Sequence, residues 1–276
     1  MNGVDVIIPV KNRSELLTTR ALASLQVQDH SDVEITLVDD GSTQKELAAI
    51  EAVVNQMRSE GWRISLLSNQ RTPGACGARN TGYLATSQPF VVWLDSDDKF
   101  LPNKLTTDLA LILSEDSDFS ISRAQHVVEG ETIPQFWGNP IAPTHGKHAF
   151  HLPFQTMCAL FRRSFLEAKN LMWNEDLISH QDWEFSNRCL LQSHRWSSSQ
   201  IVTAHYYVPQ THGESIGSQL TQEKIESQHR AMAIVRQFMA NNGLKYSWWD
   251  ELRILRHKWF LNTRSKRLQR ERSSSS

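Results

Sequence analysis

Three strand-like runs that each lead into a helix signal, and a fourth that stops at an acidic cluster, constrain the fold of this chain most strongly. Val4 to Pro9 is rich in Val and Ile, ends at polar Lys11, Asn12 and Arg13, and precedes a helix from Glu15 to about Leu25. Ser14 is placed to cap that helix, and apolar Leu17 three positions on leaves it a simple cap rather than a capping box. Glu34 to Val38 is the second run, with Asp39, Asp40 and Gly41 at its end and a helix from Ser42 or Thr43 to about Met57. Trp62 to Leu67 is the third, and Pro73, Gly74 and Gly77 make a tight loop before a helix near Ala78 to Ala85. Phe90 to Leu94 is the fourth, cut short by Asp95, Ser96, Asp97 and Asp98. Strands alternating with helices predict a layered α/β fold with a mostly parallel central sheet. Its functional loops gather beyond the C-terminal ends of the strands.

The second half is less regular. Asp118 to His126, Thr156 to Phe161 and Val202 to Val208 read as strands, Arg163 to Ala168 and Trp183 to Leu191 as helices, and Gly130 to Pro153 as loops suited to an acceptor. From Ser218 to Met239, Ile225, Met232, Val235 and Met239 recur on one helix face, and Asn242 and Gly243 terminate that helix. Trp248, Leu252, Leu255 and Trp259 repeat the pattern. These boundaries divide the chain into a catalytic domain over 1–216, a helical, basic extension over 217–272 and a disordered tail over 273–276.

Composition excludes several classes. At 39% hydrophobic and 21% charged residues, with nine tryptophans, the chain is neither disordered nor fibrous. Cys76, Cys158 and Cys189 stand too far apart for a metal pair or a disulfide framework and read as reduced core residues. No apolar run approaches a membrane span and no leader precedes Val4, so a cytoplasmic protein is expected. The net charge of -1 is uneven: residues 251–272 carry eight Arg or Lys against two Glu. Such a basic segment suits a phosphate-rich or anionic lipid surface, and nucleic acid is not the expected partner. Two readings of Trp248, Leu252, Leu255 and Trp259 stay open, docking against the preceding domain or contact with an anionic membrane.

The carboxylates at two strand ends face one crevice in an open parallel sheet. Asp40 can accept from a nucleobase N–H and Asp95 can hold ribose hydroxyls, although turn formation and capping also use such residues. The Asp95-Ser96-Asp97 spacing suits a divalent cation that takes further oxygens from a diphosphate, with Asp97 or Asp98 as the direct ligand.

Together these motifs resemble the family 2 inverting glycosyltransferases with the GT-A fold. VDVIIPVKNR at Val4 to Arg13, LVDDGST at Leu37 to Thr43, GARNTG at Gly77 to Gly82 and VWLDSDDKFLP at Val92 to Pro102 carry the likeness, which spans roughly residues 4–212. The resemblance implies a donor pocket lined by Pro9, Asp40, Arg79, Asp95 and Asp97, with Asp97 on metal and diphosphate and Asp98 as an additional ligand. MCALFRRSFLEAKNLMWNEDL, from Met157, is similar to the segment on the acceptor side, where Arg162 and Arg163 are candidate anion contacts. HQDWEFSNRCL, from His180, resembles the catalytic motif: Asp182 matches the base, Gln181 replaces the usual Glu, and Trp183 is a candidate acceptor wall. YYVPQTHGES, from Tyr206, is similar to the segment whose histidine completes the metal site, here His212, with Val208 where an arginine is usual.

The implied reaction moves a sugar from a nucleoside-diphosphate sugar to the hydroxyl of a saccharide or lipid-linked saccharide, with inversion, Mn²⁺ or Mg²⁺ as cofactor, and a place in surface or exopolysaccharide synthesis. Asp182 removes the acceptor proton. The competing readings are a non-catalytic nucleotide-sugar-binding protein and a sugar nucleotidyltransferase. Donor sugar, linkage and oligomeric state have no signal in the sequence.

Overall fold

A computed structural model describes residues 2–138, 154–193, 195–208, 221–243 and 248–273. Its first half is the expected parallel unit. Strands β1 (Val4–Val10), β2 (Val33–Asp39), β3 (Ile64–Ser68) and β4 (Phe90–Trp93) alternate with helix α1 over 14–25, α2 (Gln44–Ser59) and α3 (Ala75–Leu84). β1 lies between β2 and β4, and β3 flanks β2, all in parallel register. The Val, Ile and Leu side chains of β1 and β2 are buried, as strands covered on both faces require.

The second half departs from a mostly parallel sheet. β5 (Lys99–Phe100), α4 (Lys104–Ser114), β6 (Phe119–Val128), β7 (Glu131–Trp137), β8 (Ala159–Arg162), α5 (Arg163–Ala168), α6 (Gln181–Gln192) and β9 (Trp196–Tyr207) complete the core. The order is β3-β2-β1-β4-β8-β6-β9-β5; off this path β7 pairs with β6 over Ala124–Val128, beyond the residues that pair with β8. β8 is antiparallel to both β4 and β6, β6 and β9 are parallel, and β5 runs antiparallel to β9. The sheet is therefore mixed. β7 also falls inside the stretch 130–153 expected to be loop; residues 139–153 lie outside the described residues.

Local chemistry explains other differences. Ser14 does not cap α1; its backbone N–H donates to Glu46 Oε2 of α2 at 2.9 Å, so a neighbouring helix supplies the cap. The middle of α1, Leu17–Leu22, winds as a π-helix. Thr43 caps α2 as expected, accepting from the Glu46 N–H. All three cysteines are free and buried.

Beyond the sheet, α7 (Gln222–Asn241) and α8 (Trp248–Ser273) form a helical pair. Leu177, Trp183, Ile225, Met232, Val235, Met239 and Leu261 bury one another in a second core, so the face expected on the first of these helices packs against α6. On α8 the inward residues are Ile254 and Leu261, both fully buried. Trp248, Leu252, Leu255 and Trp259 are exposed, Trp259 by 69%. No described helix is long and apolar enough to cross a membrane. The expected boundary at 216 and residues 274–276 lie outside the described residues.

Candidate active site

The site is built on the C-terminal ends of β1, β2 and β4. At the end of β2, Asp39 accepts from the N–H groups of Gly41 and Ser42 and shapes the turn. Asp40 Oδ1 accepts from Asn69 Nδ2 at 2.7 Å and from the Gly74 N–H at 2.8 Å, and Lys11 Nζ lies 3.5 Å from Oδ2. Asp40 therefore anchors the loop before α3 with one oxygen. That loop needs its glycines: Gly74 sits at φ 126°, and a Cβ on Gly77 would stand 1.9 Å from the Thr72 carbonyl oxygen. Pro9 lies in β1 opposite Val38, one residue before the Val10 carbonyl that accepts from the Asp40 N–H.

Glu175 braces the same loop from the other side. Its carboxylate pairs with Arg71 and accepts from Asn80 Nδ2 at 2.7 Å and the Thr72 N–H at 3.3 Å. Burial opposes ionisation, but these donors outweigh it and bring the carboxyl down to about 2.

Arg79, on α3, is bonded to Asp95 and within charge range of Asp182. Its Nη2 donates to Asp95 Oδ1 at 2.7 Å, its guanidinium lies over the Trp173 ring at 4.5 Å, and Nε and Nη1 are buried without a partner. Burial works against its charge, but Asp95 and Asp182 prevail and keep it ionised. Asp182 occupies the first turn of α6, whose N-cap is His180 in the left-handed region, so Asp182 is not itself the cap. Phe185, one turn on, packs edge-to-face on Trp93 of β4 and stacks on Trp173, which fixes α6 against the sheet. Burial and Asp95 raise the Asp182 carboxyl above the usual range, while Arg79 and the Thr156 hydroxyl, 3.0 Å from Oδ1, pull it down.

The neighbouring acids have other work. Glu184 is buried and paired with Arg188 (Nη2 to Oε2 2.9 Å), Glu175 braces the loop, and Asp176 is exposed. Trp183 belongs to the second core, Arg163 pairs with Asp5 at 2.8 Å, and Arg162 donates to the Ser117 carbonyl at 2.7 Å.

In the acidic turn after β4, Asp97 is ion-paired with Arg13, and Arg20, in the π-helical stretch, donates to the Asp97 carbonyl at 2.8 Å. Burial and Asp95 raise the Asp97 carboxyl, against Arg13. Asp98 is 2% exposed and accepts the Tyr207 N–H at 2.9 Å; burial, Asp97 and Asp95 push it well up. It ties β9 to the turn rather than facing solvent. Five residues beyond Tyr207, His212 lies outside the described residues. Among the described residues no three His, Cys, Asp or Glu form a metal-holding group. Two of the three crowded carboxylates, Asp97 and Asp98, are raised by burial and by their acidic neighbours.

The family model described as "Glycosyl transferase family 2" matches residues 5–168. The chain is 27% identical over 196 residues to the amylovoran biosynthesis glycosyltransferase AmsB of Erwinia amylovora, covering 67% of this chain and 62% of that one. It is 26% identical over 133 residues to the UDP-Glc:alpha-D-GlcNAc-diphosphoundecaprenol beta-1,3-glucosyltransferase WfgD of Escherichia coli, covering 48% and 50%. It thus spans about half to three fifths of these relatives. Among solved structures, S. aureus TarS with UDP-GlcNAc superposes with a TM-score of 0.69 at 23% identity over 84% of this chain and 66% of that one. A Pyrobaculum calidifontis mannosyltransferase with GDP-Man and Mn²⁺ superposes with a TM-score of 0.59 at 14% identity, over 96% and 83%. These two likenesses concern the fold.

Proposed function

The chain belongs to glycosyl transferase family 2, and we propose that it transfers a sugar, with inversion, from a nucleoside-diphosphate sugar to a saccharide hydroxyl in the synthesis of a surface or extracellular polysaccharide. The observation that carries this reading is the bridge made by Arg79, which is bonded to Asp95 and lies within charge range of Asp182. It brings a donor-side carboxylate and a proton-accepting carboxylate into one crevice. Asp40 Oδ2 and Pro9 face the base, Asp95 the ribose or sugar, and Asp182 takes the acceptor proton as the hydroxyl oxygen attacks the anomeric carbon opposite the departing diphosphate.

Asp97 would hold a divalent cation, Mn²⁺ or Mg²⁺, with His212 and Asp98 as further candidates. When bound, the cation stabilises the negative charge of the leaving diphosphate. Arg13, already paired with Asp97, is a cationic group beside that carboxylate. Support for His212 comes from the Tyr207–Asp98 bond, which holds the preceding strand at the acidic turn.

The acceptor is a lipid-linked saccharide met at the cytoplasmic face of an anionic membrane. Relatives named for diphosphoundecaprenol acceptors and the exposed apolar face of α8 support this. That face runs Trp248, Leu252, Leu255, Trp259, at helical spacing, with exposed Arg256, Arg264 and Lys266 beside or beyond it.

The test is a paired screen of UDP-, GDP- and dTDP-sugars against saccharide and polyprenyl-diphosphate-saccharide acceptors. Transfer with inverted configuration is the expected outcome. Donor binding without transfer would leave a binding protein, and nucleotide-sugar formation from a sugar phosphate and a nucleoside triphosphate would make it a nucleotidyltransferase.

A further inference from the structure

Asp182 has a partner that no sequence pattern singles out. Thr156 is 4% exposed, on the one-turn 3-10 helix Thr156–Cys158, and its Oγ1 donates to Asp182 Oδ1 at 3.0 Å. An ionised carboxylate only accepts, so the direction of this bond is fixed.

The topology explains the encounter. β8 starts at Ala159, immediately after this turn, and runs antiparallel to β4 with Phe90 opposite Arg162 and Val91 opposite Phe161. The beginning of β8 therefore lies at the end of β4, where Asp95 leaves the sheet. Thr156 sits on the turn that leads directly into interior strand β8, and Asp182 on the first turn of α6, so one hydrogen bond ties the sheet's edge of the site to the helix at the point where the proton must move.

We propose that Thr156 is the positioning residue for Asp182, an inference that rests on the transfer reading above. By holding Oδ1 it fixes the carboxylate's rotation and leaves Oδ2 for the acceptor hydroxyl. It also favours the charged form where burial disfavours it. The other groups acting on Asp182 are Arg79 from α3, which works with Thr156, and Asp95 after β4, which works against it. Cys76 of α3 and Tyr206 of β9 also sense the Asp182 charge, and each is raised to about 12, foremost by burial, so both are neutral neighbours at pH 7.

Threonine to valine removes the donor while keeping the shape, and threonine to serine keeps the donor. In a ¹³C titration of aspartate carboxyls, with the Asp182 signal assigned by its absence in Asp182→Asn, Thr156→Val should raise the Asp182 pKa by about 1 unit and Thr156→Ser should leave it near wild type. In transfer assays with the donor and acceptor found by the screen, Thr156→Val should lower kcat about tenfold or more. The loss should be deepest on the acid side of the pH profile, with little change in the donor KM. An unshifted carboxyl in Thr156→Val, or a loss uniform across pH and shared by Thr156→Ser, would overturn the proposal. Full transfer by Asp182→Asn would instead remove the reading beneath it, and the two failures are distinguishable.

Discussion

Arg79 and Asp95 form a charge-assisted pair, Nη2 to Oδ1 at 2.7 Å, in which the arginine is 4% exposed and the aspartate side chain 28%. The buried partner has two further N–H groups with no acceptor and lies within charge range of Asp182. Replacing Arg79 by Met removes the cation between two carboxylates. UDP or GDP binding, measured by calorimetry, should weaken at least about tenfold, the value of one charged hydrogen bond. Unchanged affinity for both nucleotides would place the donor elsewhere.

Asp182→Asn keeps size and removes the proton acceptor. Transfer should fall by roughly 100-fold or more while nucleotide binding and melting temperature stay near wild type. Glu184→Gln should behave in the opposite way, because it breaks the buried pair with Arg188. It should lower the melting temperature by several degrees with a smaller effect per folded molecule. Near-wild-type transfer by Asp182→Asn with loss in a folded Glu184→Gln would move the base to Glu184.

Chelation should abolish transfer, and Mn²⁺ or Mg²⁺ should restore it. Asp97→Ala should be impaired even with metal in excess, whereas its fold persists because Arg13 is 27% exposed and can be hydrated when its partner is lost. Full activity of verified metal-free protein would reject metal dependence.

On α8, changing Leu252, Leu255 and Trp259 together to Ser leaves the buried Ile254 and Leu261 untouched. The variant should keep its helical signal and lose co-sedimentation with phosphatidylglycerol-containing vesicles. The wild type should bind those vesicles and bind pure phosphatidylcholine far less, the more so at low salt. Equal binding by both proteins would exclude this face as the contact.

His180 and His257 stack at 5.5 Å between the start of α6 and α8. Burial, then the charge of His257, lowers His180 to about 4, and His257 is itself lowered by burial and by His229. The unfolded chain, with a histidine pKa near ~6.5, binds more protons between those values, so the contribution of His180 to stability is complete above about pH 7 and declines as pH falls towards 4. His180→Asn tolerates the left-handed backbone and has no titrating ring. It should reduce the drop in melting temperature between pH 7.5 and 5 by about 2–5 °C. An identical drop in both proteins would assign the acid sensitivity to other groups.

The parallel half was legible because its signals are local: Val4 to Val10 and Phe90 to Trp93 need only burial on both faces, and the acidic turn announces itself. Asp40, Asp95 and Asp182 could be picked out by type and motif. In the second half the strands near 118–126, 156–161 and 202–208 and the helices near 163–168 and 183–191 were legible as elements, but their pairing was not. β8 is four residues long and antiparallel to both neighbours, a pairing with no periodic signature. Helix α4, with buried Lys104 paired to Asp108, hides its core face behind charged residues, and β7 carries a proline within an edge strand. Thr156, Glu175 and Arg13 acquire their partners across 26, 104 and 84 residues, distances over which spacing says nothing. Exposure of Trp248 and Trp259 was equally invisible, since a helix with two apolar stripes gives no sign of which one docks.

The insertion of β8 between β4 and β6 also sets an order of events for the growing polypeptide. While only the first hundred residues have been synthesised, β3, β2, β1 and β4 can pair with one another, but β4 keeps an open edge of unsatisfied backbone groups. It has to wait for a strand encoded some seventy residues later. Such an edge is a template for pairing with other chains. Slowed translation between the codons for Trp93 and Arg162 should therefore favour aggregation of nascent chains, whereas the same delay after Tyr207 should be harmless to the sheet.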